Sequence, residues 1–476
     1  MGALHEKGIP KDKVLEAMEA LTDNDVNWRT GKVLTGLYDP GDSAHDLAVE
    51  AYTRFLPQNA LYMNMYPSIG KMEKDVVDSI AQLLRADDEV AGNMTSGGTE
   101  SILMAIKTAR DWARANRPEI KKPEMVLPVT AHPAFIKAAH YLNIKAIQTA
   151  IDLNTYRADL DSFKQALGPN TIIAVGSAPN FSHGSIDPIA EMAAISAEKN
   201  ILFHVDACVG GIYLSIMRRM ENPLPDFDFS LPGVTSISAD LHKYGYTPKN
   251  ASVILYRNRD FRRYAWFTCS TTTEYIVINP TAQSSKTGGP VAAAWAMLRF
   301  LGEEGFRDIV NRSQEATGKI LEKVKAIKDI DVLGQPDMCM FTMASEKLNV
   351  FEIDDRMRER GWHMIPQFAC GGSPPNLHVS ITQANVPHTE KFLLDLEDVV
   401  TLLRQNGSLV NSEEITRVID ETANSSIEVT AMSLIPLVGL TGLDLPEEMA
   451  TLNTALNLIP GEKRDQLLTF FFNMSS

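Results

Sequence analysis

A histidine followed directly by a lysine, His242–Lys243, stands in "SADLHKYGYTPKN" (Ser238–Asn250), with a second lysine, Lys249, just downstream. Apolar, β-branched runs flank the string, "VTSIS" (Val234–Ser238) before and "SVILY" (Ser252–Tyr256) after. A lysine at a strand end or in a tight loop is either a surface charge or an amine nucleophile. Upstream, "HVDACVGG" (His204–Gly211) ends an apolar run on Asp206. A carboxylate there is costly to bury without a cationic or hydrogen-bonding partner. Further upstream, "TSGGTES" (Thr95–Ser101) leads into a helical pattern. Gly97 and Gly98 permit close backbone approach, and the free N–H groups of a helix start with the Thr99 hydroxyl bind an anion. No Gly-Lys-Ser/Thr ending follows, so this is not a Walker loop.

A helix cap explains "TSGGTES" alone, a turn cap "HVDACVGG", and a surface charge the lysine string. Their common context says more. Short apolar runs alternate with helical stretches: Met125–Thr130, Ala146–Ile151, Thr171–Ala178, Ile201–Ala207, Val234–Ser238 and Ser252–Tyr256. Strands that are apolar throughout and alternate with helices imply a largely parallel sheet covered on both faces, a three-layer α/β domain. Ligands bind beyond the carboxyl ends of such strands, where all three strings fall. A phosphate cradle, a buried acid and a strand-end lysine together describe a site for pyridoxal 5'-phosphate. The lysine forms a Schiff base, the aspartate pairs with the pyridine nitrogen, and the helix start takes the phosphate.

The helical spacing predicts helices over Lys13–Leu21, Lys74–Leu84 and Thr99–Asn116, and a long one from about Pro290. "MCMFTMAS" and "LHVSIT" read as strands, with helices at Val350–Arg360 and His388–Leu403. The expected organisation is an N-terminal arm over 1–70, a large α/β domain over 71–304, and a smaller α+β C-terminal domain over 305–476.

Lys and Arg number 45 against 60 Asp and Glu, a net charge of −15, which excludes nucleic acid or an anionic membrane as the main partner. Cys208, Cys269, Cys339 and Cys370 form no CxxC pair and read as reduced thiols of a cytoplasmic protein, with no disulfide framework and no metal site. The N-terminal stretch is charged and lacks the apolar core of a signal peptide. The most apolar stretch, Val429–Leu445, is broken by Pro436 and two glycines, and reads as a packed segment, not a membrane span.

Over roughly residues 30–400 the chain resembles the sphingosine-1-phosphate lyases, within the group II pyridoxal-phosphate decarboxylase family. The resemblance is carried by "LYMNMYPSIGKMEKDVV", "TSGGTESILMA", "AHPAFIKAAHYL", "FSHGSIDPI", "HVDACVGG", "VTSISADLHKYGYTPK" and "SSKTGG". It implies the fold type I, PLP-dependent transferase-like architecture, and retro-aldol cleavage of the Cα–Cβ bond of a phosphorylated sphingoid base to a long-chain aldehyde and phosphoethanolamine. It implies that Lys243 carries the cofactor. Gly98, Thr99 and His242 would bind its phosphate, with Ser285 reaching in from a second subunit. His132 would stack on the ring, and Asp206 would hold the ring nitrogen protonated. Lys249, Tyr38 and Asn59 would cup the substrate phosphate, with Tyr62 standing where the family has a histidine. Lys286 stands where an arginine is usual, and the tail departs from the family's tyrosine-bearing one. Because Ser285, Tyr38 and Asn59 would serve a neighbour's site, a symmetric homodimer is implied. An amino-acid decarboxylase on the same fold is the alternative, and a cofactor-binding scaffold without turnover a third. The phosphate cup argues against the former, and the intact Lys243, Asp206 and His132 against the latter.

Overall fold

The computed structural model describes residue 4 and residues 7–273, 275–439 and 446–475. Most of the N-terminal stretch before residue 7, and residues 440–445 of the apolar C-terminal stretch, lie outside the described residues.

The main sheet has seven strands. They are β1 (Ala91–Thr95), β2 (Glu124–Pro128), β3 (Lys145–Thr149), β4 (Thr171–Ser177), β5 (Leu202–Asp206), β6 (Ser236–Asp240) and β7 (Ser252–Tyr256). Their order is β1-β7-β6-β5-β4-β2-β3. From β6 to β3 every pairing is parallel, while β7 runs antiparallel to both β6 and β1. The residues of β4, β5, β6 and β7 are all buried. These strands are therefore covered on both faces, and burial of each large apolar side chain contributes about 1.5–3 kcal/mol; one face of β5 and β6 is polar, carrying His204, Asp206, Ser236, Ser238 and Asp240. β1, "AGNMT", is an addition to the expected strands, and reads weakly because it carries only two clearly apolar side chains.

Helix α1 covers Lys11–Ala20, α2 Pro67–Leu83 and α3 Gly98–Asn116. In α2, Ile69, Met72, Val76, Val77 and Ile80 form one buried face. Helix α4 (Gly289–Val324) is kinked at Gly302, whose φ of 54° and ψ of −173° lie outside the helical region. The expected boundary at 305 falls just past this kink. The chain then forms a four-stranded antiparallel sheet of β8 (Asp331–Val332), β9 (Met340–Ala344), β10 (Ile365–Gln367) and β11 (Asn376–Ser380), in the order β8-β9-β11-β10. Helices α5 (Val350–Arg358) and α6 (Thr389–Asn406) accompany it. The tail is helical: α7 (Ser412–Glu421), α8 (Ile427–Leu434), α9 (Ala450–Leu458) and α10 (Gly461–Ser475). No helix among the described residues is long and apolar enough to cross a membrane.

Candidate active site

The site is built where three sheet strands end. β5 stops on Asp206, whose Oδ1 accepts the Cys208 backbone N–H at 3.0 Å and the Ser238 hydroxyl at 3.4 Å. β6 stops on Asp240, so Lys243 lies in the turn beyond the strand rather than on its last residue. The His242 N–H donates to the Ala251 carbonyl at 3.0 Å, and the Tyr246 N–H to the Lys243 carbonyl at 2.9 Å, which tighten that turn. β1 leads through Ser96 into α3, whose N-cap is Gly97 at φ 145°, a conformation that favours glycine. The buried Glu100 carboxylate braces this corner, accepting the Ser96 N–H at 2.6 Å and the Gln283 N–H at 2.9 Å.

Between these ends lies a cavity of about 360 Å³. The structure brings Gly98, Thr99, His132, Asp206, His242, Lys243 and Lys249 together in its wall. Pro179, Phe181 and Cys208 line it as well, and so does Asp240. Asp240 stands in the quoted string without an assigned role, and an aspartate three residues before a lysine in a turn is the signal that could have singled it out. Its side chain is 1% exposed, and its Oδ2 lies 3.0 Å from Lys243 Nζ.

The electrostatics follow from enclosure and that pair. Burial alone would depress the Lys243 ammonium, but the Asp240 carboxylate overrides it and holds its pKa well above that of ordinary lysine. Burial would raise the Asp240 carboxyl, and Lys243 followed by His242 reverse this and lower it. Burial lowers His132, against the opposing pull of Asp206. The Ala134 N–H donates to His132 Nδ1 at 3.1 Å, which leaves the ring proton on Nε2. Burial raises the Cys208 thiol well above its usual range, so it is a neutral wall of the cavity.

Tyr38 departs from expectation. It does not reach away toward a neighbour; it stands over its own chain's Lys249, whose Nζ is 5.3 Å from the ring centroid, and packs edge-on against Tyr244 at 5.0 Å. Burial pushes its phenol up to about 12, against the opposing charge of Lys243. The cause is the route of the N-terminal segment, which pairs with the small sheet region. The Leu34 N–H donates to the His363 carbonyl at 2.9 Å, and the Ser380 N–H to the Leu34 carbonyl at 2.7 Å. Asn59, Tyr62 and Ser285 are not in the wall of the cavity. Asn59 Nδ2 reaches Ser285 Oγ at 3.5 Å, and the Asn59 Oδ1 accepts the Leu61 N–H at 3.0 Å. Ser285 and Tyr62 are exposed. A second cavity of about 480 Å³ adjoins the first, shares Ser96, Thr99, Glu100 and Asn250 with it, and is also lined by Lys137 and Lys286.

The donor set suits pyridoxal phosphate in kind: an amine for its aldehyde, a carboxylate for its ring nitrogen, and a glycine-lined helix start for its phosphate. The fit has a structural mark. His242 Nδ1 and Asp240 Oδ1 are buried at this site without a hydrogen-bond partner. A side chain on Gly98 would also block the corner, because its Cβ would lie 2.8 Å from Asp240 Oδ2 and 3.0 Å from Cys208 Sγ.

The family described as "Pyridoxal-dependent decarboxylase conserved domain" matches residues 3–342. A second, "Pyridoxal-dependent enzyme, C-terminal putative HTH domain", matches residues 423–474, which span α8, α9 and α10. The sphingosine-1-phosphate lyase of Oryza sativa subsp. japonica is 38% identical over 403 residues, 83% of this chain and 74% of that protein. The solved structure of a sphingosine-1-phosphate lyase from Burkholderia pseudomallei superposes with a TM-score of 0.81 at 34% identity, covering 90% of this chain and 98% of that one. An L-aspartate/L-glutamate decarboxylase of Pyrococcus horikoshii is 30% identical over 83% of this chain and 98% of its own length. By the family match over residues 3–342 and the likeness to these lyases over most of both chains, the chain belongs to the pyridoxal-dependent decarboxylase family, in the branch of the sphingosine-1-phosphate lyases.

Proposed function

We propose that the protein is a pyridoxal-phosphate-dependent aldehyde-lyase that splits the Cα–Cβ bond of phosphorylated sphingoid bases such as sphingosine-1-phosphate. The observation that carries this reading is Lys249 at the edge of the Lys243 cavity, a cation placed for a substrate anion beyond the cofactor's own. When bound, pyridoxal phosphate supplies the electron sink that stabilises the negative charge left at Cα. Lys243 holds the cofactor covalently and later moves a proton at Cα. Asp206 keeps the proton on the ring nitrogen, and His132 covers the ring face. Gly98, Thr99 and His242 hold the cofactor phosphate. Lys249 and Tyr38 hold the substrate phosphate.

Asn59, Tyr62 and Ser285 lie close to one another outside the cavity wall, and in this reading they serve across a subunit boundary, Ser285 toward the cofactor phosphate and the other two toward substrate. A symmetric homodimer in the cytoplasm is therefore part of the reading, as is division into an arm (1–70), a large domain (71–304) and a smaller C-terminal domain (305–476). A decarboxylase acting on an acidic amino acid is the second reading, favoured by the full-length likeness to the archaeal enzyme.

The test is a product assay on the purified full chain with pyridoxal phosphate and sphingosine-1-phosphate. Long-chain aldehyde and phosphoethanolamine appear in equal amounts, and neither appears with Lys243→Ala. Carbon dioxide from aspartate or glutamate, without aldehyde from the lipid, would establish the decarboxylase instead.

A further inference from the structure

Asp240 is the most enclosed charge of the site and takes no part in the reading above. One carboxylate stands between two bases: its Oδ2 is 3.0 Å from Lys243 Nζ and 3.5 Å from His242 Nε2. Its Oδ1 has no partner within hydrogen-bond geometry; the nearby Ser252 hydroxyl, which helps to lower the Asp240 carboxyl, donates to the Ala239 carbonyl at 3.2 Å. His242 Nδ1 is likewise buried and unpartnered. His242 Nε2 lies 3.5 Å from Asp240 Oδ2, near enough to exchange a proton with it after a small ring rotation.

The unpartnered His242 Nδ1 offers a phosphate a donor, but the Asp240 carboxylate beside it repels one. A Cβ on Gly98 would lie 2.8 Å from Asp240 Oδ2, so the start of α3 is bordered by a buried anion. A phosphate there meets like-charge repulsion in a low-dielectric setting unless a cation intervenes. His242 is placed to be that cation. Burial pushes its pKa down, Asp240 opposes this, and the charges of Lys243 and Lys249 push it further down. Lys243, meanwhile, keeps its proton because Asp240 outweighs burial. An ammonium has no lone pair with which to attack an aldehyde. The proton sits on the wrong base for both tasks.

We propose that Asp240 is a proton relay between Lys243 and His242, triggered by a phosphate anion at the start of α3. One proton leaves Lys243 Nζ for Asp240 Oδ2 and passes on to His242 Nε2. The proton count is unchanged: Lys243 becomes a neutral amine with its lone pair free, and His242 becomes an imidazolium whose Nδ1–H faces the anion. Asp240 stays a carboxylate and exchanges one cationic partner for the other. Asp240 is thus a positioning and relay residue, and the chain releases its nucleophile only when a phosphate-bearing ligand is in place. The other titratable groups around the pair, Cys208, Tyr38, Asp206, His132 and Lys249, lack its combination of contact with Lys243 and proximity to His242. The proposal rests on the reading that Lys243 and the α3 start hold the cofactor.

The test separates the aldehyde from the phosphate. The full chain is freed of cofactor and treated with pyridoxal, which has no phosphate, with and without inorganic phosphate. Borohydride then fixes the adduct, and peptide mass locates it. In the parent, inorganic phosphate speeds labelling of Lys243 at least tenfold at neutral pH and moves its apparent pKa down. In Asp240→Asn the basal rate rises and phosphate no longer accelerates it. Equal phosphate acceleration in Asp240→Asn and the parent overturns the relay, as does a parent that labels at Lys243 without any phosphate effect. A parent that labels elsewhere, with pyridoxal and with pyridoxal phosphate alike, overturns the cofactor reading and the relay with it.

Discussion

The Lys249 ammonium stands 5.3 Å from the centroid of the Tyr38 ring and donates to the Gly36 carbonyl at 2.8 Å. The ring and the carbonyl together orient a cation whose pKa burial, and then the neighbouring Lys243, lower from the usual lysine range. On the proposed reading the substrate phosphate displaces the carbonyl. Lys249→Ala should therefore lower kcat/KM for sphingosine-1-phosphate about 10- to 100-fold, mostly through KM, the usual range for one charge-assisted hydrogen bond. Cofactor absorbance should stay as in the parent. Unchanged KM would remove Lys249 from the phosphate cup.

Asp206 has a different signature. Asp206→Asn keeps an acceptor for the Cys208 N–H but removes the charge that holds a proton on the ring nitrogen. The expected result is a fall in kcat of about a hundredfold or more, with KM little changed, as for other preorganised electrostatic groups. Steady-state kinetics on cofactor-saturated protein decides it.

Gly98 tests the cradle itself. With Asp240 Oδ2 2.8 Å and Cys208 Sγ 3.0 Å from the would-be Cβ, Gly98→Ala displaces buried atoms with little room to move. Affinity for pyridoxal phosphate should drop about tenfold or more, a loss of one good charge-assisted contact. Equilibrium dialysis against the cofactor measures it. Circular dichroism should show the fold intact.

His204 gives a pH dependence. It is fully buried between Ser236 Oγ at 2.8 Å and Ser238 Oγ at 3.2 Å, and burial pushes its pKa down to about 4, against the opposing charge of Asp206. An unfolded histidine titrates near 6.5. Between these values the unfolded chain binds the extra proton, so this contribution to stability is complete above about pH 6.5 and is lost as pH falls toward 4. Asp187, raised to about 6 by burial, acts with the opposite sign, so the informative quantity is a difference. The stability gap between parent and His204→Gln should narrow by about 1.4 kcal/mol per pH unit below 6.5. Urea melts at several pH values check it, and parallel curves would contradict it.

Most of the sheet was legible because its buried strands carry short apolar, β-branched runs between helical stretches. Ser252–Tyr256 matches its expected bounds, and the others shift by only a few residues. Direction was not legible: an apolar run reads the same whether its neighbour is parallel or antiparallel, so the reversed β7 was hidden. β1 was hidden too, since "AGNMT" carries little periodic signal. In the site, the residues on the sheet's own turns, Gly98, Asp206 and Lys243, could be read from local strings. Tyr38 could not be placed, because its position depends on a remote pairing of Leu34 with His363 and Ser380. The helical spacing of Val14, Leu15 and Met18 was legible in α1, yet these side chains are 41, 52 and 58% exposed, because periodicity marks an amphipathic face without naming its partner.

The antiparallel run of β7 has a consequence for anyone who would re-engineer the enzyme. β6 and β7 pair from Ser236–Tyr256 to Asp240–Ser252, so Lys243 and Lys249 belong to one hairpin turn, residues 241–251. That turn is a cassette: exchanged for its counterpart from a relative, it transplants both positive charges at their native spacing. Tyr38 stays behind, because it is threaded to the small sheet through Leu34. Grafts confined to the hairpin would therefore alter the cation while leaving its aromatic neighbour in place, and the mismatch between the two would report which of them governs substrate choice.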